Sequence, residues 1–98
     1  MQTITFPLVR TLHVSHEGRE IEIQMKILGI DRLSEDECAC RYSLPLIGID
    51  EGRIYGCDEI QALEICLKFL RGLVINPRHD GSMEVWQHEK GDSGGFTR

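Results

Sequence analysis

REIEIQMKIL, residues 19–28, alternates apolar and polar side chains more regularly than any other stretch of the chain. Ile21, Ile23, Met25 and Ile27 fall on one side of an extended backbone; Glu20, Glu22, Gln24 and Lys26 fall on the other. Successive side chains of a strand point to opposite faces, so this period of two predicts a strand with one face buried and one wet. Such a strand needs neighbours to pair with and an apolar layer to cover its dry side. The flanking sequence supplies both.

Upstream, Ile4, Phe6, Leu8, Leu12 and Val14 occupy even positions, a strand pattern interrupted by Arg10. Pro7 removes a backbone donor, which puts this strand at a sheet edge or gives it a bulge there. Ser15 to Gly18 read as the turn into the next strand. Downstream, residues 29–37 (GIDRLSEDE) read as a polar, acidic loop. Cys38, Cys40, Tyr42 and Leu44 then alternate with Ala39, Arg41 and Ser43, a third strand ending near Pro45. Asp50-Glu51-Gly52 reads as a hairpin turn, with residues 53–56 returning as a short strand.

The covering layer is DEIQALEICLKFLRGLV, residues 58–74. Asp58 is a good N-cap, and Gln61 sits where its side chain can reach back and complete a capping box. Ile60, Leu63, Cys66, Leu67, Phe69, Leu70, Leu73 and Val74 make a broad apolar face opposite Gln61, Glu64, Lys68 and Arg71. Gly72 and Asn76-Pro77 mark its end. Residues 83–88 offer a short last strand through Val85 and Trp86. The expected fold is α+β: an antiparallel meander of about four strands, with that short last strand, packed on one helix in the C-terminal half. Residues 1–90 form a single domain, with 91–98 a flexible or loosely docked tail. Asp58, Gln61, Leu63, Leu70 and Trp86 are its expected structural residues.

Ninety-eight residues fit one domain. A net charge of −5, from 11 basic and 16 acidic residues, argues against direct binding to nucleic acid or an anionic membrane, both of which need a positive field. No apolar run reaches the roughly 18 residues of a spanning helix. The opening MQTITFPLVRTL reads as a strand rather than a secretion signal. A cytoplasmic protein with four reduced cysteines is the expectation.

Two motifs invite chemistry. Residues 91–95, GDSGG, spell the string around the nucleophilic serine of chymotrypsin-like proteases. That serine works only with a histidine base, an orienting acid and an oxyanion hole. No histidine of this chain stands in the context that family uses, so Ser93 reads as a coincidence and no enzyme is expected. Cys38 and Cys40 would lie about 6.5 Å apart on one side of a strand. Joined by His13 and His16 they could form a zinc site of two sulfurs and two nitrogens. Buried free cysteines are common in cores, so core thiols are the main reading, no cofactor is expected, and the metal or thiol site is the alternative. His79 and His88 fall in turns or near chain ends. Tyr55 either packs at the rim of a tight turn made by Gly56 or is an exposed contact residue.

The segment Tyr55-Gly56-Cys57-Asp58 followed by Gln61-Ala62-Leu63 resembles the helix start of a family of small bacterial proteins of unknown function. Cys40-Arg41-Tyr42, Trp86 and Gly94-Gly95-Phe96 match the same pattern in order, with Thr97 standing where that pattern has proline. The resemblance implies a bacterial cytosolic protein without supplying a reaction or a cofactor. By analogy with small acidic bacterial domains, the expectation is a non-catalytic protein-binding module, such as a toxin-neutralising immunity protein or inhibitor. Its partner would be another protein, for instance a basic toxin or nuclease, met by Glu20, Glu22, Asp50, Glu51, Tyr55 and the acidic run 35–37. Complementary charge would speed that encounter. An open edge strand would also permit a homodimer.

Overall fold

The computed structural model describes residues 3–45, 48–75 and 83–96. In chain order its elements are β1 (Thr3–His16), β2 (Arg19–Ser34), β3 (Glu37–Leu44), β4 (Ile49–Gly56), α1 (Glu59–Ile75) and β5 (Met83–Trp86). The strands form one antiparallel sheet in the order β4-β3-β2-β1-β5. The described residues make five strands, the about four expected plus the short last one, which pairs with the end of β1. The α+β class and the helix in the C-terminal half hold.

The hairpin at 16–19 is closed by a two-residue turn, Glu17 and Gly18, both at positive φ (52° and 75°), the backbone twist that suits such a hairpin. Ile23, Met25 and Ile27 are buried as their alternation requires, while Ile21 near the turn remains 57% exposed. The register then slips between Ile27 and Gly29. One extra residue moves every later side chain to the other face, so Ile30 takes the next buried position. This bulge corrects the expected loop over 29–37: β2 runs on through Ser34, and the turn shrinks to Glu35 and Asp36. A second bulge lies between Thr5 and Leu8, around Pro7.

Asp50-Glu51-Gly52 is also corrected, from hairpin turn to part of β4. The chain reverses earlier, where the Gly48 amide donates to the Pro45 carbonyl at 3.0 Å with Gly48 at φ 75°. Cys38, Cys40, Tyr42 and Leu44 are buried as their alternation demands.

The helix start follows its sequence signals closely. The Gln61 amide donates to Asp58 Oδ1 at 2.7 Å, and Gln61 Oε1 accepts from the Cys57 amide at 2.7 Å. The capping box therefore closes on the residue before the cap. Arg32 on β2 pairs with Glu59, and the Cys38 thiol lies 3.6 Å from the same carboxylate. A backbone amide bond and then Arg32 hold the Glu59 carboxyl below its usual range. Gly56 lets the helix sit directly on β4: a Cβ there would stand 2.5 Å from the Ala62 nitrogen.

Ala62, Cys66, Leu70 and Val74, at i and i+4 spacing, are the helical residues fully covered by the sheet. Leu63 and Leu73 are half-buried, whereas Ile60, Leu67 and Phe69 are exposed. The helix packs chiefly on β4 and β3, so it cannot cover the β1 side of the inner face. Trp86 is buried on the opposite, outer face, stacked on His13 at 5.9 Å and capped by Lys90 at 5.3 Å. No helix among the described residues is long and apolar enough to cross a membrane.

Candidate functional site

Asp92 organises the stretch after β5. Its carboxylate accepts the amides of Gln87 (2.9 Å), His88 (2.8 Å), Glu89 (3.1 Å) and Gly94 (2.9 Å). These donors, the His88 and Gln87 amides foremost, hold its carboxyl well below the usual carboxylate range. The Ser93 hydroxyl donates to the Phe96 carbonyl, and the Phe96 amide returns to the Ser93 carbonyl at 3.3 Å. GDSGGF is thus a folded strap in which the serine hydroxyl closes a turn. Gly94 has φ 66° and is buried; a Cβ on it would collide with Val74.

The strap delivers Phe96 to the part of the inner face that the helix leaves bare. Arg10 on β1 donates to the Gly94 carbonyl at 3.3 Å and lies 5.0 Å over the Phe96 ring. On one side of the ring is a hollow of about 280 Å³ between Leu8 on β1 and Leu67 on α1. On its other side a hollow of about 360 Å³ runs along Ile60 and Leu63. Leu67 and Phe96 belong to both, so the two form one apolar strip from β1 across the strap to the start of α1. Ile60 is 80% and Leu8 53% exposed, far more than an ordinary core flank. Arg10 and Lys68 stand along the strip against Glu64, a local excess of positive charge on an acidic chain.

The residues singled out from the sequence lie elsewhere and do not converge. Glu20 and Glu22 are exposed on the outer face of β2, across from Ser15 and His13. Asp50 and Glu51 are exposed on β4, and Glu51 reaches Arg41 at 3.5 Å. Arg41 in turn pairs with Asp31 at 3.0 Å. Tyr55 is 52% exposed opposite Ala39, which is opposite Asp31. Asp31 is nine positions beyond Glu22 on β2, so Tyr55 and Glu22 lie about 30 Å apart along the sheet. The 35–37 run is farther still, at the β2–β3 turn.

Cys38, Cys40 and Cys66 are fully buried free thiols, and Cys57 is exposed. The hydrogen bond with Cys40, and then burial, push the Cys66 thiol well above its usual range. Burial likewise raises Cys38. Cys40 is across from Ile30 and His13 across from Glu22, eight positions apart on the strand between them, roughly 26 Å. Cys38, Cys40, His13 and His16 are therefore not brought together. No group of three or more metal-binding side chains occurs among the described residues. His79 lies outside the described residues.

The sequence profile of the family described as Domain of unknown function (DUF6968) matches residues 8–98. The chain belongs to this family. No curated protein and no solved structure matches it. The DUF6968 range takes in the whole strip, from Leu8 on β1 through Phe96 to Ile60 on α1, and the strap between β5 and Phe96.

Proposed function

We propose that this DUF6968 protein is a non-catalytic protein-binding module that acts by occlusion, in the manner of a toxin-neutralising immunity protein or inhibitor. The observation that carries this reading is the uncovered apolar strip of Leu8, Phe96, Leu67, Leu63 and Ile60. Contiguous exposed apolar surface bordered by polar groups is the usual mark of a protein contact. The anchor is aromatic and held from behind by Arg10 and the Asp92 turn, the arrangement of an interface hot spot. With Arg10 and Lys68 beside the strip, the complementary surface is an apolar segment bordered by acids. Glu20 and Glu22 lie on the opposite face of the sheet from the strip.

The test is capture from lysate of cells that make the protein, using wild type, Leu67→Asp and the pair Glu20→Lys with Glu22→Lys. One stoichiometric protein should be retained by wild type and by the double lysine variant, and lost by Leu67→Asp. Retention by Leu67→Asp together with loss in the lysine variant would move the contact to the acidic outer face. Absence of any stoichiometric partner would refute the reading.

A further inference from the structure

Among the described residues β4 is an outermost strand, paired only with β3. We propose that two copies of this chain pair through β4, antiparallel about a two-fold axis normal to the sheet, and so form one continuous sheet. The register can be worked out. Such an axis maps each face of the sheet onto itself, so a residue can stand opposite only a residue of its own face. β4 slips register between Ile49 and Gly52, which leaves Gly52–Gly56 as its regular part. Centring the pair on Gly52 runs each strand into the other's bulge. Centring on Arg53 sets two guanidinium groups against each other, and centring on Tyr55 runs past the strand end. Centring on Ile54 uses the whole regular segment: Ile54 meets Ile54 of the second copy under the helices, and Arg53 meets Tyr55 on the outer face in both directions.

That pairing answers three features of one chain. Arg53 stands opposite the like-charged Arg41 and forms no ion pair among the described residues. A tyrosine face across the new strand boundary gives its cation a partner. Tyr55 is half exposed with no other described packing role. Above the sheet, Ile65 and Phe69 share one helix flank and are 40% and 37% exposed; Phe69 meets the β3 residue Tyr42 at 5.6 Å, and the Tyr42 ring lies over Gly52 of β4, which puts this flank on the β4 side. Cys66 packs by Cys40, and Cys40 stands opposite Ile54, so this flank is level with the axis. Strands lie about 4.8 Å apart, so helices seated over the two β3–β4 boundaries would run about 10 Å apart, a helix-packing distance. Ile65 and Phe69 of each copy then fill the space between them. The interface is on the opposite flank of α1 from the apolar strip and leaves the strip open.

Sedimentation velocity over a range of concentrations tests the pairing, with folding of each variant checked by circular dichroism. Wild type should show twice the 11.2 kDa chain mass. Tyr55→Lys, which faces Arg53 with another cation, and Ile65→Glu should each weaken the dimer at least tenfold. Tyr55→Glu should retain it, because a carboxylate then faces Arg53; Leu67→Glu, on the other helix flank, should leave it unchanged. A wild-type chain of single mass at every concentration overturns the proposal. So does a dimer that survives Tyr55→Lys and Ile65→Glu, or one that Leu67→Glu disrupts.

Discussion

Gly94→Ala separates a strap that is part of the fold from one that merely lies on it. A non-glycine residue at φ 66° costs about 1–2 kcal/mol. The added methyl also meets Val74 and approaches Leu12, an overpacking cost of about 1–3 kcal/mol if nothing moves. The full strain would then be about 2–5 kcal/mol. The strap need not bear it, because it can let go. Half-burial of Phe96 is worth about 1 kcal/mol, and its contact with Arg10 adds about 0.5–1 kcal/mol. Release therefore costs about 2 kcal/mol and wins over strain. Gly94→Ala should behave in urea denaturation like deletion of residues 93–98, which spares Asp92 and its bonds to Gln87, His88 and Glu89, each losing about 1.5–2 kcal/mol. For a domain this size that lowers Tm by roughly 4–8 °C per kcal/mol. Limited proteolysis should cut the variant near residues 91–96 and spare wild type. A loss clearly larger than that of the deletion would show that the strain reaches the core. An unchanged midpoint with the strap still protected would show that the Gly94–Val74 approach is not real.

Two more outcomes test the packing and the charge. Leu70→Ala, in the fully buried helical row, should cost about 2–5 kcal/mol in the same denaturation assay, while Ile60→Ala, 80% exposed, should stay within about 0.5 kcal/mol. Equal effects would mean the helix is rotated from the orientation described. Asp92 has its folded carboxyl held below the unfolded value near 3.9, so its contribution to holding the strap is fully present above that pH and is lost as pH falls below it toward the depressed value. Exchange protection of the Gln87, His88, Glu89 and Gly94 amides should therefore weaken as pH drops below about 4, after correction for intrinsic exchange, and Asp92→Asn should abolish that dependence. Protection flat through the acid range in wild type would refute the role of the carboxylate.

Much of this fold was legible because its signals are local. The alternation of 19–28, the Asp58–Gln61 capping pair and the thiols of β3 each depend on neighbours in sequence, and each appears in place. What failed were phase changes. Gly29 and Ile30 read as loop because the apolar period breaks there. The break is a bulge, visible only when a paired strand shows that β2 continues. Asp50-Glu51-Gly52 carries good turn residues, yet the chain had already reversed at Pro45 to Gly48. Turn propensity cannot reveal that a competing turn four residues earlier has been used.

The candidate site was less legible, for a physical reason. An apolar helical face reads as core whatever eventually covers it, and eight apolar positions were assigned to one buried face. A helix seated over β3 and β4 buries only the narrow row of Ala62, Cys66, Leu70 and Val74, with Leu63 and Leu73 at its margins. The surplus among those eight, Ile60 and Leu67 on one flank and Phe69 on the other, was therefore a signal already present in the excess width of the face; Ile65 beside Phe69 was not assigned to it. Phe96 covers part of one flank, and it could not be placed because its position depends on Asp92 gathering amides from four residues. Charge was the more conspicuous feature, and it pointed to scattered carboxylates on a solvated face. On the proposed reading, the side chains that hold a partner are apolar ones that the protein's own core has no room to bury.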